Sequence, residues 1–427
     1  MPTKFRRLTD EAFFFGAFSV LSGGYTELPL RVMTPRMDLG DSNPFNSVAM
    51  VVILGGLLVL GGTERHRLWS FARHAWPMNV FLAIAAVSAI WSVDPSITLR
   101  RTTTLTIGVV FGYYAASAFS MPGIIRRIGV ASIGLALSSA IVALTLPQYG
   151  VMSGGELAGR WNGVFPHKQQ LGQAMFLGVL ALGWLTVHSK GWYRTGCCAA
   201  IALCIGVLAM ARSETSVVSV LAIPPMALAM RAAATSGVAR LWAVYVMSIL
   251  AIVMILALTV DLSSIMEMFG RDATLTGRAP LWGLLLEIVA EQPFTGYGYG
   301  AFWLAHNPLV IRVIAVSGWY VPEAHNGYID VMLQVGVPGL ILALAMLFGT
   351  IRAALAAMAE RVDWASFAGI FVIIATVSNL VETMVLRSGD VQCVLIPLLY
   401  VALRAPEAAR REAGNAMMPG MAKLSPG

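Results

Sequence analysis

The sequence is poor in charge. Only 12% of its 427 residues are Asp, Glu, Lys or Arg, while 57% are hydrophobic. Soluble domains carry roughly a quarter charged residues, so a soluble globular class is excluded and an integral membrane protein is implied. Cysteine is scarce too. Cys197, Cys198, Cys204 and Cys393 all fall in apolar stretches, without the spacing of a disulfide framework or a metal site, and read as small packing residues. No cleavable signal peptide is expected, because the first apolar run (13–20) lacks a small-residue cleavage site and many further runs follow. Several chemical signatures are missing as well: a Walker Gly-Lys-Ser/Thr, a His-Glu-x-x-His, a Gly-x-Ser-x-Gly and an Asp-x-Asp pair. The formal charge of +7 does not argue for nucleic acid here, since in a polytopic chain the placement of charge matters more than its sum.

What is present is a series of long apolar runs. They predict helices at about 10–30, 47–62, 79–92, 102–120, 128–147, 170–188, 196–211, 216–231, 241–260, 327–350, 364–386 and 391–404. The expected fold is all-α and polytopic, with about 12 transmembrane helices in a single domain over 1–404 and a flexible cytoplasmic tail over 405–427. With both termini cytoplasmic, every cytoplasmic connection between spans holds at least two Lys or Arg, for example Arg65 and Arg67, Arg126 and Arg127, or Lys190 and Arg194. That agrees with the positive-inside rule and places the long loop 261–325 in the periplasm or cell exterior. Loops of this length usually carry function or are disordered, and this one is too aromatic for disorder.

The outside segments hold the polar chemistry. Arg212 falls where a span should end, with apolar sequence on both sides, and intramembrane ionisable residues are functional candidates by default; Glu214 beside it offers a structural neutralisation instead. Arg278 opens an expected helix in Thr276-Gly277-Arg278-Ala279-Pro280, where free backbone N–H groups and a guanidinium make an anion site. The competing reading is a surface arginine paired with Asp272 or Glu287. His325 stands at the end of the loop, and the unperturbed pKa of an imidazole suits proton transfer near neutrality. A diphosphate leaving group can be neutralised by arginines and needs little protonation, whereas an acceptor hydroxyl needs a base. Two arginines and one histidine match that division without a metal or other cofactor. Tyr297, Tyr299 and Trp303, in a Gly-rich turn, are candidates for stacking on sugar rings, or equally belong to an interfacial aromatic belt.

These residues fall into a pattern. Arg160 to Lys168 with Phe165-Pro166-His167-Lys168, Gly277-Arg278-x-x-Leu281-Trp282, Pro293-Phe294-x-Gly296-Tyr297-Gly298-x-Gly300-Ala301-Phe302-Trp303, and His325-Asn326 followed by Gly336-Val337-Pro338-Gly339 resemble the O-antigen ligase/polymerase family. The Trp91-Ser92-Val93-Asp94-Pro95 segment is most similar to its exopolysaccharide polymerase branch, and the resemblance covers roughly residues 90–345. It implies a GT-C-type, metal-independent, inverting glycosyltransferase in the bacterial inner membrane. Such an enzyme takes a glycan from an undecaprenyl-diphosphate-linked donor on the periplasmic face. By matching position, Arg212 and Arg278 would bind the diphosphate and His325 would activate the acceptor hydroxyl. Arg160 and Lys168 are further candidates for the anion or the sugar, and His167 and Asn326 for the sugar. Glu214 departs from the expected surroundings of Arg212 and puts its phosphate role in question. Polymerisation of repeat units is favoured by the Trp91–Asp94 segment. The alternatives are ligation of finished glycan to a lipid A-core acceptor and, from another class, a polysaccharide or lipid transporter. Against transport, the two halves show no internal repeat and the polar residues gather on one face.

Overall fold

The computed structural model describes residues 4–33, 43–63, 65–233, 278–318 and 320–404. The expected span 241–260, the first part of the long loop (261–277) and the tail 405–427 lie outside the described residues. Among the described residues the fold is all-α, with one isolated backbone bridge between Val151 and Trp161. Six helices are long and apolar enough to cross a membrane: Pro44–Gly62, Met121–Thr145, Lys168–Val187, Gly191–Ala211, Glu214–Ala233 and Gly327–Ala359. Shorter apolar helices, among them Ala365–Ser378 and Gln392–Arg404, complete the bundle.

Local chemistry explains where the helices start. Asn43, Asp94, His167, Asn307 and Asn326 each cap a helix by accepting a backbone N–H, and Pro44, Pro95 and Pro308 follow three of these caps. The Asp94 cap begins its helix at Pro95, about seven residues before the expected start at 102, and so brings Arg100 and Arg101 into the helix Pro95–Ala118. Two other expectations are corrected. The run 10–30 breaks after Leu21 into two helices, Lys4–Leu21 and Glu27–Met33, with Gly23 at φ +87° between them. The run 364–386 stops being helical at Ser378, and 379–391 follows as a largely buried irregular segment. In that segment Asn379 Oδ1 accepts the N–H groups of Met384 (3.0 Å) and Val385 (2.6 Å).

Close packing depends on small residues, as in other membrane bundles. A Cβ at Gly112 would come within 2.7 Å of the Val394 carbonyl, so the helices Pro95–Ala118 and Gln392–Arg404 pack nearly backbone to backbone. The cysteines behave as packing residues: all four are free thiols, and Cys197, Cys204 and Cys393 are buried.

The described part of the long loop folds on itself. Its helices Arg278–Glu291 and Pro308–Ser317 share an apolar cluster that includes Leu285, Ile288, Phe302 and Val313. The cluster rests on Ile329 and Leu333 at the start of Gly327–Ala359. That long helix is broken at Gly336 (φ 72°, ψ −175°), two residues before Pro338. The break frees the carbonyls of Leu333 and Gln334, and the Gly-rich turn takes them up. Tyr297 N donates to Leu333 O (2.8 Å) and Gly298 N to Gln334 O (3.0 Å), while Val337 N donates to Pro293 O (2.7 Å). A buried helix break is tolerable only when its backbone groups are paired in this way. The Trp91–Asp94 segment closes the same knot, with Val93 N donating to Tyr297 O and the Trp91 indole to Thr295 O.

Candidate active site

One end of the bundle gathers most of the residues singled out from sequence. His325 ends the loop in the left-handed region (φ 48°), a conformation that costs a non-glycine residue about 1–2 kcal/mol. It is held there from both sides. The Trp282 indole donates to the Ala324 carbonyl (3.0 Å), and Asn326 caps the next helix by accepting from Tyr328 and Ile329 N–H (3.0 and 3.1 Å). Asn326 also donates to the Leu380 carbonyl (3.1 Å). Its amide is therefore engaged by backbone through both its oxygen and its nitrogen.

The His325 imidazole is half-buried beside two carboxylates. Its Nδ1 lies 3.6 Å from Glu323 Oε1, and ligand atoms of Glu323, His325 and Glu382 lie within 4.8 Å of one another. Both carboxylates already have partners. Glu323 pairs with Arg387, and Glu382 accepts from Gln169 Nε2 (2.7 Å) and Thr215 Oγ1 (2.9 Å). With its acids engaged by Arg387, Gln169 and Thr215, the group reads as a hydrogen-bonded cluster. The Arg387 guanidinium is held above its ordinary range by the Glu323 charge. Burial pushes the Asp390 carboxyl, which caps Gln392, up to about 6.

Arg212 also adopts a left-handed conformation (φ 47°, ψ 47°) at the end of Gly191–Ala211, and its side chain is exposed. Buried Lys168 donates to the Arg212 carbonyl (3.0 Å) and to Glu214 Oε2 (2.9 Å). Arg160, carried on the turn bridged by Val151 and Trp161, donates to Glu214 Oε1 (3.1 Å). Glu214 thus pairs with Arg160 and Lys168, and Lys168 also holds the Arg212 carbonyl. Thr215 then links this cluster to Glu382 beside His325. Arg278 is the first residue of its helix; its side chain lies outside what is described.

His167 caps Lys168–Val187, its Nδ1 accepting from Gln169 N–H (3.3 Å), and burial lowers its pKa. It is a neutral capping residue here. Tyr297 and Tyr299 are buried at 7% and 3% exposure, and Tyr299 forms part of the wall of a large cavity. Their hydroxyls donate to the carbonyls of Ile288 and Leu386, and burial pushes the Tyr297 phenol up to about 12. Trp303 is half-exposed and donates to Asp330.

Trp303 faces a cavity of about 580 Å³ that also includes Arg100, Arg101, Glu323, Asp330 and Arg387 in its wall. Val51, Leu54 and Ile107 give part of its wall an apolar lining. Sequence reasoning missed Glu323, Glu382, Arg387 and Asp330. For Glu382 a signal existed, since an acid within the apparently continuous span 364–386 is costly and therefore a functional candidate.

The molecule so far is an all-α polytopic membrane protein with a histidine–carboxylate cluster and exposed arginines gathered at one end. Residues 199–344 match the family described as O-Antigen ligase. The chain is 28% identical over 313 residues to the exopolysaccharide production protein ExoQ of Rhizobium meliloti (strain 1021), covering 70% of this chain and 69% of that protein. The resemblance to the O-antigen ligase/polymerase family, on its exopolysaccharide side, is borne out.

Proposed function

We propose that this chain is a metal-independent, inverting glycosyltransferase that polymerises glycan repeat units on the periplasmic face of the inner membrane. The observation carrying this reading is that Glu323, whose Oε1 lies 3.6 Å from His325 Nδ1, lines the cavity that also holds Arg100, Arg101 and Arg387. The donor is a glycan on undecaprenyl diphosphate and the acceptor is a sugar hydroxyl. His325 removes the hydroxyl proton as the acceptor oxygen attacks the anomeric carbon from the face opposite the diphosphate. The new C–O bond forms while the bond to the diphosphate breaks, and undecaprenyl diphosphate leaves with the electron pair. Arg212 and Arg278 bind that leaving group; bidentate guanidinium–phosphate pairs stabilise the charge that develops on it. Trp303, with one face toward the cavity, packs on a sugar ring.

The test is transfer by purified protein in lipid vesicles supplied with a polyprenyl-diphosphate oligosaccharide. Growth of a ladder of products that His325→Ala abolishes, with donor binding retained, is expected; a ladder that survives His325→Ala removes the base. A gene deletion tests the product. Loss of secreted high-molecular-weight polymer with intact lipopolysaccharide is expected. Uncapped lipid A-core with accumulating lipid-linked polymer makes the protein a ligase instead.

A further inference from the structure

We infer that Glu323 is the positioning residue of the active base: it orients the His325 imidazole and stabilises its protonated form, and Arg387 keeps Glu323 ionised. This rests on the function proposed above and adds a residue that the sequence patterns left without a role. Three observations carry it. Glu323 is 8% exposed, and such a buried carboxylate is retained at a cost unless it is paired. Its two oxygens are divided, Oε2 to the Arg387 guanidinium and Oε1 toward His325 Nδ1 at 3.6 Å. The chain between the two residues is pinned at Ala324 by Trp282, so their separation is set by the fold rather than by a mobile loop.

The division gives each group one task. A carboxylate facing one ring nitrogen fixes the tautomer, leaving the other nitrogen to take a proton, and favours the imidazolium that results. Arg387 prevents the carboxylate from competing as the base. The charged and titratable groups around the pair are consistent with this. Glu382 lies on the other side of His325, with its oxygens bound by Gln169 and Thr215. His167, Asp330 and Asp390 interact electrostatically with Glu323, and Lys168 lies beyond His167. Of these, His167 is a neutral cap, and Asp330 accepts from Trp303 and Gln334.

The experiment is the pH dependence of turnover by full-length protein in vesicles, from about pH 5 to about pH 9, a range that brackets an ordinary histidine. Removing the carboxylate charge with Glu323→Gln disfavours the imidazolium, so the acidic limb should move down by about one pH unit. Turnover should fall at least tenfold while KM for the lipid donor stays within twofold. Asp390→Asn controls for a neighbouring buried acid whose carboxyl pKa burial raises, and should leave the limb in place. A folded Glu323→Gln protein with the wild-type limb, or with wild-type turnover, overturns the assignment, as does a limb that moves with Asp390→Asn. Should Glu323→Gln not accumulate, Arg387→Met gives the second test. With its partner gone, Glu323 protonates at higher pH and the acidic limb steepens; an unchanged profile overturns the proposal. An inactive His325→Ala alongside a wild-type Glu323→Gln sinks this inference alone, whereas an active His325→Ala sinks the function on which it rests.

Discussion

Replacing Lys168 with methionine should weaken donor binding while sparing the chemical step. Lys168 is 5% exposed, and its ammonium is divided between the Arg212 carbonyl and Glu214. Arg212 sits in a left-handed conformation that costs about 1–2 kcal/mol. A charge-assisted hydrogen bond to its carbonyl returns about 1.5–3 kcal/mol, so the conformation is held by a narrow margin. The ion pair with Glu214 adds little, because Glu214 is 65% exposed and solvent screens it. Methionine fills similar volume but holds no carbonyl, so Arg212 relaxes and its guanidinium leaves the position proposed for the diphosphate. A loss of about 2 kcal/mol corresponds to a roughly thirtyfold rise in KM for the lipid donor. The assay is steady-state transfer in vesicles over a range of donor concentrations, with kcat expected within threefold of wild type. A folded Lys168→Met protein with unchanged KM, or with kcat reduced and KM unchanged, refutes the chain from Lys168 to Arg212 to donor.

Arg278→Ala should abolish polymer formation in a complementation assay while the protein still accumulates in the membrane. Arg278→Lys should be poor as well, because an ammonium lacks the planar fork of guanidinium; full activity of the lysine variant means that charge alone suffices. Gly298→Ala should destabilise the protein by about 2–4 kcal/mol, since Gly298 has φ +101° and a Cβ would lie 2.8 Å from Ser92 Cα. Gly283→Ala, where a Cβ meets nothing within 4 Å, is the control, and equal thermal unfolding of the two variants contradicts the packing account. Asp390→Asn should flatten the pH dependence of stability. The carboxyl is raised in the fold from 3.8 to about 6, so its contribution is fully present below the unfolded value and is lost as pH rises toward about 6. That loss amounts to about 3 kcal/mol by neutral pH. Thermal melts in which wild type and variant keep the same pH dependence across this window remove the cause.

The apolar runs made the membrane class and most spans legible, because hydrocarbon leaves the backbone little choice but helix. Boundaries failed where short polar chemistry overrode the run. Asp94-Pro95 started a helix early, Gly23 broke one, and Asn379 drew the chain out of another by capturing two N–H groups. Roles within the motifs were harder to read. Tyr297, Tyr299, Asn326 and His167 stood out as sugar contacts because aromatics, amides and histidine suit sugars in general. In the fold their side chains also bond backbone: the Tyr297 and Tyr299 hydroxyls donate to the Ile288 and Leu386 carbonyls, and His167 and Asn326 cap helices. Local sequence does not reveal such bonds where the partner is remote: Tyr299 reaches the Leu386 carbonyl and Asn326 the Leu380 carbonyl, both far along the chain.

The missed residues share a physical cause. Glu323, Glu382 and Arg387 come from two segments joined only in space, and each alone looks like an ordinary charge near a span end. Their meaning depends on pairing. Glu323 without Arg387 would be a buried carboxylate competing for the proton assigned to His325, and Arg387 without Glu323 would be a cation at a span end with nothing to hold it. Glu382 is bound by Gln169 and Thr215, the residues next to Lys168 and Glu214, and Lys168 holds the Arg212 carbonyl. The proposed base and the proposed diphosphate ligand are therefore tied through one carboxylate. That link makes a specific demand: weakening Glu382 should disturb donor binding and proton transfer together, whereas Glu323 should affect proton transfer and Lys168 donor binding.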